Sequence, residues 1–158
     1  RAVLLLASMD QNILEPDAIS FNAAISACEK DANWQSALAL LAVMGQAVLE
    51  PTIISYSAAI SACANSAQWQ TALALFATMG QIVIKPNTIG YSATISACEK
   101  GAVWPRALEL LAIIRWTIIK PDTIMYSAAI SACEKCAQWQ QALALLAAMD
   151  WTVVEPNA

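Results

Sequence analysis

The sequence predicts an all-α fold: a solenoid of stacked helix–turn–helix repeats. Three observations predict it. Prolines fall at 16, 51, 86, 121 and 156, a spacing of 35 residues each time. Tryptophans at 34, 69, 104 and 139 keep that period, as do cysteines at 28, 63, 98 and 133 and the string Ile-Ser-Ala-Cys starting at 25, 60, 95 and 130. Within each period, apolar residues twice fall into helical spacing. A fixed period of about 20–50 residues marks an array, because one such unit cannot bury its own faces and stacking several of them can. The 158 residues divide into a leading half repeat, 1–17, and four full repeats, 18–52, 53–87, 88–122 and 123–157, in one solenoid segment.

The elements follow in order. In the first helix of a repeat, Phe21, Ala24, Ile25 and Cys28 sit at i, i+3, i+4 and i+7, which is one helical face. Tyr56, Ala59, Ile60 and Cys63 repeat it. The second helix is expected to carry the stripe Trp34, Leu38, Leu41 and Met44, and its Ala- and Leu-rich composition suits helix propensity. Short polar breaks separate the pair, Lys30-Asp31-Ala32-Asn33 in one repeat and Asn65-Ser66-Ala67-Gln68 in the next. Each periodic proline stops the second helix and forces an extended residue before it. The residue after each proline is Asp17, Thr52, Asn87, Asp122 or Asn157, all suited to cap the next helix. Pro105, beside Trp104, falls near a helix start, where proline is tolerated.

Composition narrows the function. Hydrophobic residues make up 59 % and charged residues 13 %, so the chain is no disordered polymer. A formal charge of −4 disfavours a generic nucleic-acid protein with a broad basic patch. The absence of histidine removes Ser-His-Asp and Cys-His catalysis and most zinc ligand sets. Glu109 and the other carboxylates show no pairing for acid–base work, so neither an enzyme, a cofactor nor a metal is expected. The periodic cysteines lie in one register of the apolar stripe and read as core residues, and the lone Cys133-x-x-Cys136 lacks a second pair or a βαβ setting. The periodic tryptophans likewise read as packing residues. No apolar run reaches the roughly 18 residues of a spanning helix, and no signal peptide opens the sequence. Arg1 leads straight into an apolar stretch that reads as mid-helix, which suggests a piece of a longer protein with any targeting segment outside it.

A 35-residue unit that closes on a hydrophobic residue, a charge and Pro-Asp/Asn resembles the pentatricopeptide repeat. The resemblance is carried by Ile-Ser-Tyr-Ser-Ala-Ala-Ile-Ser-Ala-Cys (54–63), Ala-Leu-Ala-Leu-Phe-Ala-Thr-Met (72–79) and Ile-Lys-Pro-Asn (84–87), and it covers essentially the whole chain. The tetratricopeptide repeat, with a period of about 34, is the nearest rival, and it lacks this opening and the Pro-Asp close. The resemblance implies a right-handed superhelix in a chloroplast or mitochondrion, binding single-stranded RNA in a concave groove at one base per repeat. It implies base-reading pairs Asn22 with Thr52, Ser57 with Asn87, Ser92 with Asp122, and Ser127 with Asn157. It implies aliphatic wedges at Ile19, Ile54, Ile89 and Ile124, and phosphate-facing lysines at Lys30, Lys100 and Lys135, with Asn65 departing in the second repeat. The implied preference is pyrimidine-A-G-A.

Two features compete with that reading. Capping alone explains Asp, Asn or Thr at the last place of a repeat, whereas Ser or Asn at the fifth place is a mediocre helix former and suggests a polar, groove-facing site. Each expected phosphate lysine follows a glutamate, as Glu29-Lys30, Glu99-Lys100 and Glu134-Lys135. The outer face is also unusually apolar, with Ala39, Ala42, Val43, Ile113, Trp116 and Trp151 where water would favour charge. An apolar surface of that extent marks a partner interface. The alternative reading is therefore a scaffold docked by this convex face into a larger organellar complex, whether soluble or in a membrane.

Overall fold

The computed structural model describes residues 17–47, 49–82 and 84–153, with side chains as far as Met149. Most of the leading half repeat, Asn157 and the side chain of Trp151 lie outside the described residues. Those described form eight helices and no strand: α1 (Ala18–Lys30), α2 (Trp34–Gln46), α3 (Ile53–Asn65), α4 (Trp69–Gln81), α5 (Thr88–Lys100), α6 (Trp104–Ile114), α7 (Thr123–Lys135) and α8 (Trp139–Val153). The odd-numbered helices start at residues 18, 53, 88 and 123, the first residue of each predicted repeat. No helix among the described residues is long and apolar enough to cross a membrane.

The helices form two layers. Each first helix packs on its own second helix and on the first helix of the next repeat, so α1, α3, α5 and α7 make one continuous row. Each second helix also supports the first helix that follows it, while no two second helices pack extensively on each other. The closely packed row is therefore the inner, concave side, and the splayed row the outer one.

Local chemistry explains the helix ends. Asp17, Asn87 and Asp122 cap α1, α5 and α7 by accepting from the backbone N–H groups of Ser20, Gly90 and Met125 at 2.8, 2.9 and 2.8 Å. Thr52 starts α3 by donating its own N–H to Ser55 Oγ at 3.0 Å. Every first helix ends in the same turn. The residue at its apex is an alanine with positive φ: Ala32, Ala67, Ala102 and Ala137, at 50°, 56°, 53° and 55°. In that turn the carbonyls of Cys28, Cys63, Cys98 and Cys133 accept from Asn33, Gln68, Val103 and Gln138 at 2.8–2.9 Å. This is a Schellman closure with alanine where glycine is the unstrained residue.

The first-helix stripe packs as the sequence predicts, with Phe21, Ala24, Ile25 and Cys28 buried in α1. The second-helix stripe is rotated. In α2 the buried residues are Ala37, Leu40, Leu41 and Met44, while Leu38 and Trp34 are half-buried. The fully buried alanine, Ala37, replaces Leu38 on the packed face. The tryptophans are accordingly boundary residues: Trp69 leans on the turn at Gly101, where an added Cβ would strike its Cγ and Cδ1. Trp139, against which no later helix packs among the described residues, is 65 % exposed. The second helices also stop before the prolines, since α2 ends at Gln46 and α6 already at Ile114, where Thr117 Oγ donates to the Ile114 carbonyl at 2.7 Å.

The core falls into two clusters, one around Ile25, Met44, Ile60 and Met79, the other around Ile95, Ile114 and Met125. Phe76 packs against both and meets Tyr91 edge-on at 4.8 Å between ring centroids. The cysteines of the periodic register are all buried and free. Burial pushes the Cys63 and Cys98 thiols up to about 11 and raises Cys28 and Cys133 as well.

Candidate nucleic-acid interface

The inner row brings most of the sequence-predicted residues together. Ile19, Ile54, Ile89 and Ile124 stand 59 to 76 % exposed on four successive helices. Each is the second residue of its helix or one turn from a cap, so the core cannot reach it, and the four form an apolar ladder along the row. Exposed single isoleucines are ordinary; a column of them at every repeat is a surface suited to flat apolar faces.

The fifth and last residues of a repeat meet in one case directly. Ser57 Oγ donates to Asn87 Oδ1 at 3.4 Å, and that same oxygen accepts the Gly90 N–H. In the first repeat the link is indirect: Ser55 Oγ donates to Asn22 Oδ1 at 2.6 Å while accepting from the Thr52 N–H. Ser92 and Asp122 are both half-buried and share no hydrogen bond. Ser127 is exposed, and its expected partner Asn157 lies outside the described residues.

The groove-facing expectation requires these side chains to stand open to solvent, and Ser57 does not: it is 4 % exposed. The reason is packing. α5 packs on α3 at Gly90, where an added Cβ would lie in ordinary contact, 3.6 Å from Ser57 Oγ. Asn87 is thus both a helix cap and the hydrogen-bond partner of the fifth residue.

The lysines form an inter-repeat ladder. Lys100 Nζ donates to Asn65 Oδ1 at 3.1 Å, and Asn65 Nδ2 donates to the Glu29 carbonyl at 3.2 Å. Lys135 Nζ donates to the Glu99 carbonyl and to its carboxylate, at 3.1 and 3.2 Å. Two of the three expected phosphate lysines therefore hold the preceding repeat, and Asn65, the departure from the lysine pattern, joins the same ladder. Ser66 and Cys136 also reach back, donating to the Ala32 and Ala102 carbonyls at 2.5 and 3.1 Å. The sequence reading missed Ser55, Asn65 and Ser66 as bridges. Their signal is positional for Asn65 and Ser66, which end the helix off its apolar stripe and beside the preceding turn; Ser55 is itself fully buried.

A pocket of about 290 Å³ opens on the inner row at α5 and α7, lined by Glu99, Thr123, Ile124, Ser127, Ala128 and Ser131. On the outer row, Ala39, Ala42, Val43, Ile113 and Trp116 are all exposed, Trp116 by 92 % and the nearby Ile118 by 103 %. Arg106 and Glu109 pair there at 2.6 Å.

A two-layered helical repeat with a polar and apolar register along its inner row defines an α-solenoid repeat protein. A family model described as a pentatricopeptide repeat domain matches residues 4–66, and a PPR repeat model matches residues 54–82. The chain belongs to the pentatricopeptide repeat family. Among solved structures it is similar to the pentatricopeptide repeat protein PPR10 from maize, with 23 % identity and a TM-score of 0.70 over 81 % of this chain and 18 % of that one. It is similar to PPR10 in complex with an 18-nt psaJ RNA element, with 21 % identity and a TM-score of 0.74 over 94 % of this chain and 22 % of that one. It is also similar to the PPR domain of Arabidopsis thaliana protein-only RNase P 1 in complex with tRNA, with 12 % identity and a TM-score of 0.81 over 99 % of this chain and 82 % of that one. The chain spans about a fifth of the maize protein's length. No curated protein matches it in sequence.

Proposed function

We propose that this chain is a non-catalytic module that binds single-stranded RNA along its inner row, one nucleotide per repeat, in a chloroplast or mitochondrion. The observation that carries the reading is the exposed column Ile19, Ile54, Ile89 and Ile124 along the inner row, an apolar ladder for base faces, with the exposed Ser127 and the half-buried Ser92 and Asp122 beside it as polar groups for base edges. The RNA complexes of structurally similar proteins support it. The organelle rests on the family resemblance. By that resemblance the base preference is pyrimidine-A-G-A, with the guanine read by Ser92 and Asp122.

The test is fluorescence anisotropy with an oligonucleotide carrying pyrimidine-A-G-A and its scramble. Asp122→Asn is the informative variant, because asparagine caps a helix as well as aspartate does and changes only what a base meets. Tighter binding to the matched sequence, with the guanine preference moved to adenine in Asp122→Asn, supports the reading. Equal binding to both sequences removes base reading, and no binding at low salt removes RNA.

A second reading is favoured by the apolar outer face, where Trp116 and Ile118 protrude beyond the end of α6. On that reading the protein is a subunit of a larger organellar complex held through Ala39, Val43, Ile113 and their neighbours. Trp116→Ala would then release it from that complex while leaving RNA affinity unchanged.

A further inference from the structure

We propose that Glu99 is a specificity-determining residue of the inner groove: its carboxylate accepts a hydrogen bond from the exocyclic amino group of a base seated at α5 and α7. The pocket there takes cytosine or adenine in preference to uracil. The inference rests on the RNA-binding reading above. Glu99 lines the pocket together with Ile124 and Ser127, so an acidic, an apolar and a hydroxyl-bearing residue border one space. Its volume, about 290 Å³, lies just below the roughly 300 to 1,000 Å³ of ligand pockets, and it is an open depression, suited to one base lying against the row rather than to an enclosed ligand.

The carboxylate is held in place from outside. Lys135 reaches across from α7 and donates to both the backbone carbonyl and Oε1 of Glu99, so one ammonium clamps the residue at two points. The Glu99 side chain is 27 % exposed, enough to be met by a ligand and too little to rotate freely in water. An ionised carboxylate has roughly four acceptor sites, and one interaction with Lys135 leaves the others available. It carries no donor. A phosphate or a carbonyl oxygen in that place is repelled, and an amino group is bound by a charge-assisted hydrogen bond. Cytosine offers its N4 amino group and adenine its N6 amino group; uracil presents an oxygen where cytosine has the amine.

The arrangement is particular to this junction. The corresponding residues of the other repeats are Glu29, Ala64 and Glu134. The Glu29 carbonyl is taken by an amide, Asn65, and among the described residues no ammonium holds its carboxylate. Lys135 is the positioning residue, and Glu99 touches the base.

The experiment compares eight-nucleotide oligocytidine and oligouridine by fluorescence anisotropy, on the parent chain and on Glu99→Gln. The readout is the change in the affinity ratio between the two, since the other repeats contribute equally to both proteins. The expected result is a ratio about tenfold lower in Glu99→Gln, because glutamine loses the charge and adds a donor that suits uracil. Lys135→Gln, which frees the carboxylate without removing it, is expected to lower the ratio less. An unchanged ratio overturns the proposal, as does an equal rise for both oligonucleotides, which would make Glu99 only a repulsive charge near phosphate. Failure of the parent to bind either one overturns the RNA reading itself, and this inference with it. Should Glu99→Gln melt before the parent, Glu99→Asp keeps the charge but shortens its reach, and a fall in the ratio is expected there too.

Discussion

Four alanines hold the same left-handed conformation at the ends of the four first helices. That conformation costs an L-residue roughly 1–2 kcal/mol, more than the roughly 0.5–1 kcal/mol that glycine loses through its freer unfolded chain. Ala67→Gly and Ala102→Gly are therefore expected to stabilise the protein by about 0.5–1 kcal/mol each, read as a higher thermal midpoint. The neighbouring residue has the opposite character. Gly101→Ala would drive a methyl group into the indole of Trp69, at a cost of about 1–3 kcal/mol, and a midpoint equal to the parent's would disprove that packing account. The caps were legible from the sequence, because Asp, Asn and Thr after a proline leave little choice. The strained alanines were not: alanine is the residue least expected to mark a left-handed turn, and only the chain's return into the next helix forces it there.

At the scale of the element, the first helices were read correctly, and in the second helix Leu41 and Met44 are buried as expected while Leu38 and Trp34 are only half-buried. The i, i+3, i+4, i+7 stripe of α1 is one face with a single interpretation. In α2 nearly every residue is apolar, so periodicity could not separate Ala37 from Leu38. The cysteines sit where that inner stripe is most deeply packed, and their titration belongs to the helices they anchor. Folding keeps the Cys63 and Cys98 thiols neutral up to about 11, against 9.0 for an ordinary cysteine. A raised folded value means that the stabilising contribution is whole below about pH 9 and is lost as pH rises through about 11. Thermal midpoints measured across that window are expected to fall. Cys98→Ala should start lower at neutral pH, through a small cavity, and fall less steeply in alkali; an equal slope would show that these thiols do not titrate with unfolding. Among the five cysteines, Cys136 alone is not fully buried and is expected to react first with a thiol reagent in the native state.

At the scale of the whole molecule, a period of 35 residues in the sequence became a period of helix pairs in space. What the sequence could not convey was how adjacent repeats grip one another. Those contacts join residues 30 to 36 positions apart, such as Ser57 with Asn87, Asn65 with Glu29 and Lys135 with Glu99, each of which looks solvent-facing when its own helix is considered alone. On the RNA-binding reading proposed above, the same contacts would govern the electrostatics of binding. Single-stranded RNA loses affinity with salt at a slope near −0.7 per phosphate contact, so the three inner-row lysines permit a slope of about −2 at most. With Lys100 and Lys135 engaged between repeats, a shallower value is expected over a salt titration. A slope well beyond −2 would require cations from elsewhere on the surface.

The two helical rows also differ in how they resist deformation. Separating adjacent first helices would open the buried core, whereas the second helices have little mutual contact to lose. The easy motion of the array is consequently a change of curvature, like a spine whose vertebral bodies stay pressed together while its processes fan apart. A strand lying along the inner row would be tracked by a surface that flexes without letting go of its own register.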